Sequence, residues 1–205
     1  MVTSAPSYLD YVYLMDSLKR YASPKSKLTT MIRAGKVIKL RRGLFLPEND
    51  TAYSLKTLAN KIYGPSYLSF ETALSFYGLI PEHVESLMSA TFKKYKNKQF
   101  KTPVGSFFYS DIPARVYPYG VVLMEENGQP FLLATREKAL CDTLSKRSGI
   151  QNLQDMTTLL LNDLRLDKTE LLALNQKDLA FLIPLYQKKK MCLLLDFIQE
   201  ESRHA

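Results

Sequence analysis

Between residues 25 and 42 the chain concentrates hydroxyl, ammonium and guanidinium groups, which are the groups that bind nucleic-acid phosphates and base edges. Four of them recur at helical spacing, so in a helix they would share one face: Ser26, Thr29, Thr30 and Arg33. Short hydroxyls with an arginine are typical of a helix that binds in the major groove. The candidate DNA-binding residues are Lys25, Ser26, Lys27, Thr29, Thr30, Arg33, Lys36, Lys39, Arg41 and Arg42.

A short helix and a hairpin must position these residues. Ser23 followed by Pro24 is a helix start signal, and Gly35 marks the end of that helix. Strands are predicted at 36–40 and 44–46, so that the two arginines between them occupy the tip of a hairpin. A helix followed at once by a basic hairpin predicts a winged helix-turn-helix head.

The polar residues of the predicted helix and hairpin can also be explained without DNA binding. Hydroxyls and lysines are common on any exposed helix, and solvated basic residues are common at turns. Only one further helix, predicted from about residue 8 to 20 with a start signal at Ser7, precedes the pair. Most winged helices have three helices before the wing. The third would therefore come from downstream, at about 55–63, or the motif is abbreviated.

The distribution of charge favours a polyanionic partner at the amino end. The net charge is +8 over 205 residues. Residues 1–47 contain nine Lys/Arg and two Asp, a net charge of +7, whereas residues 48–150 carry +2 and residues 151–205 carry −1. The excess positive charge of the chain therefore indicates where DNA would bind.

A second basic run at 92–101 alternates aromatic residues with lysines. That pattern could bind single-stranded nucleic acid through stacking and charge. The run is better explained as a strand end and a loop, with a turn at Asn97, whose aromatic side chains pack and whose lysines face water.

Catalysis has little support, so neither an enzyme nor a cofactor or metal is predicted. His83 has no evident Ser, Cys or metal-ligand partner, and His204 is the second-last residue of the sequence given. Glu125 and Glu126 are adjacent in a predicted strand, so they point to opposite faces. No nucleotide-binding loop or nucleophile motif occurs. A carboxylate-dependent nuclease remains an alternative.

The cellular location is predicted from the cysteines and from the apolar segments of the sequence. Cys141 and Cys192 lie in apolar helical segments and are predicted to be buried, reduced thiols. No signal peptide and no apolar run of about 20 residues occurs, which predicts a cytoplasmic protein without a membrane partner.

The whole chain is predicted to be α+β, with three regions. A winged-helix DNA-binding domain would span 1–50, a mixed α/β body 51–150, and a helical region packed on the body 151–205. In the body, strands are predicted at 86–92, 105–111, 119–125 and 130–134. Helices are predicted at about 54–63, 69–77 and 135–146, the last capped by Thr135.

Three segments together resemble the AbiEi antitoxin family of bacterial abortive-infection, type IV, toxin–antitoxin systems. The first is L-R-R-G-L-F at 40–45 and the second is G-P-S-Y-L-S-F-E-T-A-L-S-F-Y-G-L-I-P-E at 64–82. The third is A-T-R-E-K-A-L-C-D at 134–142, where Arg136 stands in place of the family's usual proline. The resemblance covers most of residues 1–150, and the tail matches only in being helical.

This resemblance implies an autoregulator that binds double-stranded DNA in front of its own operon and opposes a nucleotidyltransferase toxin. Neutralisation in such systems need not involve a stable complex. The DNA-binding role would fall on Lys27, Thr30, Arg33, Arg41 and Arg42, and no motif isolates the residues for antitoxicity. A protein-interaction module without specific DNA binding is the alternative.

Overall fold

The computed structural model describes residues 8–48, 53–82 and 84–203, which form an α+β fold. Its strands are β1 (Leu9–Asp10), β2 (Val37–Arg41), β3 (Leu44–Pro47), β4 (Ser66–Leu68), β5 (Leu87–Phe92), β6 (Lys98–Thr102), β7 (Gly105–Ile112), β8 (Val121–Glu126) and β9 (Gln129–Ala134). Its helices are α1 (Tyr11–Ser17), α2 (Pro24–Arg33), α3 (Leu55–Ile62), α4 (Phe70–Phe76), α5 (Arg136–Lys146), α6 (Leu153–Thr157), α7 (Lys168–Leu172), α8 (Gln176–Tyr186) and α9 (Lys189–Arg203). A π-helical segment, Thr158–Asp163, lies between α6 and α7.

Residues 8–48, here called the head, combine α1 and α2 with a three-stranded antiparallel sheet in the order β1-β3-β2. Asp10 caps the amino end of α1 by accepting a hydrogen bond from the Tyr13 backbone N–H at 2.7 Å. The two helices pack on one face of the sheet through a small apolar cluster. Its buried members are Leu14, Leu18, Leu28, Val37 and Phe45.

The β2–β3 hairpin contributes to two hydrophobic clusters at once. Because side chains alternate along a strand, Phe45 packs with α1 and α2 while its neighbours Leu44 and Leu46 face the other way. These two leucines and Leu40 belong to the main core, together with Leu58 of α3. The β2–β3 hairpin therefore packs both against the helices of the head and against the core of residues 53–203, here called the body.

The body is built on a six-stranded mixed sheet in the order β6-β7-β5-β4-β9-β8. Leu68 pairs with Ser89, which aligns with Tyr109, so Tyr67 and Tyr109 point to opposite faces. Tyr109 donates its hydroxyl hydrogen to the Ala59 carbonyl of α3, and Tyr67 donates to Asp142 of α5. Helices α3 and α5 therefore cover opposite faces of the sheet.

Most predicted body elements are confirmed. Thr135 caps α5 by accepting from the Lys138 N–H, and the predicted strands become β5, β7, β8 and β9. The turn before β9 has two left-handed residues, Asn127 and Gly128, as a tight hairpin requires. The helical tail is confirmed through Arg203.

Several predictions need correction. Cys141 is buried, but Cys192 is exposed because α9 turns that side away from the core. The first helix begins at Tyr11, since residues 9 and 10 pair with β3 as a short strand. Strands β4 and β6 were not predicted. Strand β4 is only three residues long, and β6 overlaps the basic run at 92–101, which the sequence predicts to be a strand end and a loop. The predictions for Ser7, His83 and His204 lie outside the described residues.

A buried polar network joins α5 to β4 and α8. The Lys138 ammonium lies 3.1 Å from the Asp142 carboxylate, and both side chains have no exposed surface. Asp142 also accepts hydrogen bonds from Ser69, Tyr67 and Tyr186 at 2.7, 2.9 and 2.6 Å. Lys138 further donates to the Val116 carbonyl and to the Tyr186 hydroxyl. Lys138 and Asp142 belong to the third segment quoted for the family resemblance, so that segment has a structural role here.

Buried tyrosines make the fold sensitive to alkali. Burial is the largest cause that raises the pKa of Tyr67, Tyr186 and Tyr109, and it raises the pKa of Tyr117 to about 12. In the unfolded chain a tyrosine ionises near pH 10. The folded state therefore binds more protons above that pH, and stability should fall as pH rises through about 10 to 12.

Urea unfolding at pH 8, 9, 10 and 11, with tyrosinate absorbance at 295 nm, checks this expectation. The free energy of unfolding should fall most steeply between pH 10 and 11, where the tyrosines of the unfolded chain ionise. An unchanged free energy at pH 11 would show that these hydroxyls ionise freely in the folded protein.

Candidate nucleic-acid interface

Helix α2 presents its predicted polar face to solvent. Leu28 is buried against the head sheet, and Met31 and Ile32 are partly buried beside it. The stripe of these three side chains fixes the rotation of the helix, because apolar positions three and four apart lie on one face. The opposite side is exposed and carries Lys25, Ser26, Thr29, Thr30 and Arg33.

The hydroxyl groups of this face are already hydrogen-bonded within the helix. Thr29 Oγ1 donates to the Lys25 carbonyl at 3.0 Å, and Thr30 Oγ1 donates to the Ser26 carbonyl at 3.1 Å. A threonine hydroxyl has one hydrogen and two acceptor lone pairs. Both oxygens can therefore accept hydrogen bonds without breaking these bonds. Amino groups of adenine or cytosine are donors of the matching kind.

The start of α2 is less regular than predicted. Ser23 occupies the cap position, but its side chain makes no hydrogen bond to a helix N–H. Its hydroxyl donates instead to the Ser26 hydroxyl at 2.8 Å. Pro24 at the first helical position needs no partner because it has no N–H.

A groove of about 660 Å³ separates α2 from the hairpin. It brings cations from two elements together, since Lys25 lies on α2 and Lys39 and Arg42 lie on the hairpin. Thr29 also lines the groove, whose remaining walls are mostly apolar. The full lining is Tyr11, Lys25, Leu28, Thr29, Ile32, Lys39, Arg42, Gly43 and Phe45.

The other candidate residues are not among those that line the groove. Ser26, Thr30 and Arg33 are exposed on α2, and Lys36 is exposed just after it. Lys27 is partly buried and its ammonium lies 4.7 Å from the centre of the Tyr21 ring.

Tyr21 is enclosed by positive charge. Arg20 lies 5.4 Å from the same ring. A hydrogen bond from Arg20, followed by the charge of Lys27, lowers the pKa of Tyr21. The side of α2 next to Tyr21 is therefore cationic as well.

Arg41 and Arg42 diverge at the hairpin tip. Arg42 lines the groove with α2, whereas Arg41 lies on the body side, where its charge opposes the rise that burial causes in the pKa of Tyr109. A β-bulge between Lys39 and Arg41 alters the register at this point. The sequence predicted the arginines as one pair, and the structure separates them into two surfaces.

The cations of the head are largely free of acidic partners. Among residues 8–48, the one ion pair described joins Lys19 to Asp16, and both side chains are mostly exposed. None of Lys25, Arg33, Lys39, Arg41 and Arg42 forms an ion pair within the described residues. An anionic ligand would meet these charges without displacing a carboxylate.

The sequence did not predict the floor of the groove. Tyr11 and Phe45 reach it from α1 and β3, and neither position carried a polar signal. The helix stripe of Leu28 and Ile32 was the available indication, because it sets which side of α2 faces the hairpin.

The third helix of a winged helix-turn-helix is missing from the head as described. Leu58, Ala59 and Ile62 of α3 belong to the main core, whereas α1 and α2 pack in the smaller cluster. The head thus has two helices followed by a hairpin, and the winged-helix assignment stays a prediction.

No protein-family model matches this chain, and a search of curated proteins returned no match. The resemblance to the AbiEi family therefore rests on the three quoted segments alone. Within residues 8–48, 53–82 and 84–203, no helix is long and apolar enough to cross a bilayer. The same ranges contain no cluster of three or more His, Cys, Asp or Glu side chains suited to a metal ion.

Proposed function

We propose that this protein binds duplex DNA through its head, with α2 in the major groove and the hairpin on the phosphate backbone. The observation that carries the proposal is the convergence of Lys25, Lys39 and Arg42 on one groove beside Thr29. Two separate elements supply these charges, and the described part of the head offers them no acidic partner.

The proposal divides the candidate residues by role. Lys25, Lys39 and Arg42 would neutralise phosphates, which supplies affinity without sequence preference. Thr29, Thr30 and Arg33 are exposed on the helix and would contact base edges, which supplies preference. The threonine oxygens would accept from base amino groups, and Arg33 would donate to guanine.

We further propose, from the family resemblance, that the protein represses its own operon and acts as an antitoxin against a nucleotidyltransferase toxin. Growth of cells that express the neighbouring gene, with and without this protein, tests the antitoxin role. Loss of growth that this protein fails to rescue would contradict it while leaving DNA binding intact.

A protein-interaction role for the body is the second candidate. Leu123 on the edge strand β8 is 71% exposed and pairs across the hairpin with Leu132, which is also exposed. Native proteins usually protect such an edge with charge. Two results together would favour this candidate. The wild type would co-purify with the neighbouring gene's product but bind no DNA, and Leu123→Lys would abolish the co-purification.

The salt dependence of binding tests the DNA proposal. With about six phosphates neutralised, the logarithm of affinity for the operon's promoter duplex should fall against the logarithm of salt with a slope near −5. Fluorescence anisotropy between 50 and 300 mM KCl measures this slope. Absent binding, or binding that does not change with salt, would contradict the proposal.

Substitutions on α2 test base recognition. Thr30→Ala or Arg33→Ala should cost about 1–3 kcal/mol against the preferred promoter sequence and should relax preference at one position. Binding to a shuffled duplex should change much less for Thr30→Ala, which removes no charge. An equal loss on both duplexes would assign Thr30 to folding or to backbone contact.

A further inference from the structure

The two basic segments of the sequence meet in space. Strand β2 carries Lys39 and Arg41, and it lies beside β6, which carries Lys98 and Lys101. These segments are more than fifty residues apart in sequence, and β6 is an edge strand of the body sheet. The two basic segments are therefore adjacent in the fold, on the side of the hairpin that carries Arg41.

An aromatic cluster marks the junction of the two surfaces. The rings of Tyr63, Phe100 and Tyr109 lie with their centres 5.3 to 5.7 Å apart. Lys98 is directly opposite Tyr109 in the β6–β7 pairing and so shares its face. Arg41 of the hairpin acts electrostatically on the same tyrosine.

The loop between β5 and β6 adds further cations in a fixed conformation. Asp111 accepts hydrogen bonds from the backbone N–H groups of Lys94 and Tyr95 at 3.0 and 3.1 Å. Lys93 and Tyr95 both adopt left-handed backbone angles, with φ of 54° and 55°. The Lys94 ammonium lies 5.3 Å from the centre of the Tyr63 ring.

This anchoring leaves the loop cations available. Both carboxylate oxygens of Asp111 are occupied by backbone N–H donors of the loop. None of Lys93, Lys94, Lys96, Lys98 and Lys101 forms an ion pair within the described residues. Tyr95 at the loop tip is 86% exposed. A loop held in one conformation loses little entropy when it binds.

We propose that the β5–β6 loop and the β6 edge bind the same DNA duplex as the head, on phosphates that flank the segment contacted by α2. This inference rests on the proposed function, because it extends the footprint of the head. The proximity of β2, which carries Arg41, to β6, which carries Lys98, favours a duplex that crosses both surfaces. Lysines on an edge strand also discourage strand pairing between molecules, and that role alone would leave DNA binding unchanged.

The test compares three variants on a labelled 30-bp duplex of mixed sequence and on a 30-nucleotide single strand. Lys96→Ala/Lys98→Ala removes two exposed cations of the body surface, and Lys39→Ala/Arg42→Ala removes two from the groove. Lys177→Ala/Lys189→Ala is the matched control, because it removes two exposed charges from α8 and α9. Each is titrated at several salt concentrations.

The body variant should flatten the salt slope on the duplex by about 2, as the groove variant should, while the control keeps the wild-type slope. A wild-type slope in the body variant, with a flattened slope in the groove variant, would overturn this inference and leave the proposed function standing. Absent duplex binding by the wild type would overturn both. The wild type could instead bind the single strand more tightly than the duplex and lose that binding in Tyr95→Ala. This result would show that the ligand of the body surface is an unpaired strand, and it would overturn the inference.

Discussion

Asp142→Ala should lower the free energy of unfolding by about 3–5 kcal/mol, because it leaves the buried ammonium of Lys138 without its counter-ion. Lys138 has no exposed surface, and Asp142 is the anion that lies 3.1 Å from it. The same substitution removes the acceptor used by Ser69, Tyr67 and Tyr186. Urea unfolding followed by circular dichroism at pH 7 measures the loss.

The pH dependence of this variant gives a second measurement. Burial lowers the pKa of Lys138, and the charge of Asp142 opposes that shift. Without Asp142 the pKa of Lys138 should fall further, so the unfolded chain binds more protons than the folded protein. The stability of Asp142→Ala relative to that of the wild type should therefore rise with pH between 7 and 9.

Two controls separate the ion pair from general effects. Asp163→Ala removes an exposed carboxylate for which the described residues offer no ion pair and should change stability by no more than about 0.5 kcal/mol. The double variant Lys138→Met/Asp142→Leu should recover part of the loss, since it removes both charges together. A loss below about 1 kcal/mol in Asp142→Ala would show that the network does not hold α5 in place.

Replacing all three groove cations should have the largest effect on function. For Lys25→Ala/Lys39→Ala/Arg42→Ala we expect an affinity for duplex DNA at 0.15 M salt that is roughly 100-fold lower, because about three phosphate contacts are lost. The salt slope should flatten by about 2.7. The three side chains are exposed, so the fold should be retained.

A variant with the same change in net charge provides the control. Lys168→Ala/Lys177→Ala/Lys189→Ala removes three cations from the carboxyl-terminal helices, one of them in a partly exposed ion pair with Glu201. Its affinity should stay within a few-fold of the wild type. An equal loss in both variants would mean that net charge, and no particular surface, governs binding.

Local signals were enough to predict much of the fold. Helix α5 was predicted because Thr135 is a good cap and the acidic Glu137 falls in the first turn. Between the predicted strands 119–125 and 130–134, Asn127-Gly128 is a dipeptide that favours the tight turn joining β8 and β9. On α2, the helical spacing of Leu28, Met31 and Ile32 predicted which side of the helix faces the sheet and which side is exposed. Each of these inferences depends on residues within about one turn of one another.

Features that depend on distant residues were not predictable in this way. The groove exists because Phe45 and Tyr11 approach α2 from two other elements. The adjacency of β2 and β6 depends on how the whole body sheet is ordered. Lys138 and Asp142 were visible as a pair four residues apart, but a surface pair has the same spacing. Only the tertiary contacts show that this pair is buried.

The hairpin shared by the two hydrophobic clusters limits how the protein can be divided. A fragment that ends after β3 would turn Leu40, Leu44 and Leu46 from interior residues into a water-facing leucine stripe. Such a fragment should self-associate, and DNA binding measured on it would describe the aggregate. The shared hairpin also fixes the orientation of α2 relative to the body. Replacing the head by another DNA-binding domain would therefore also require changes in the body residues that pack against the hairpin.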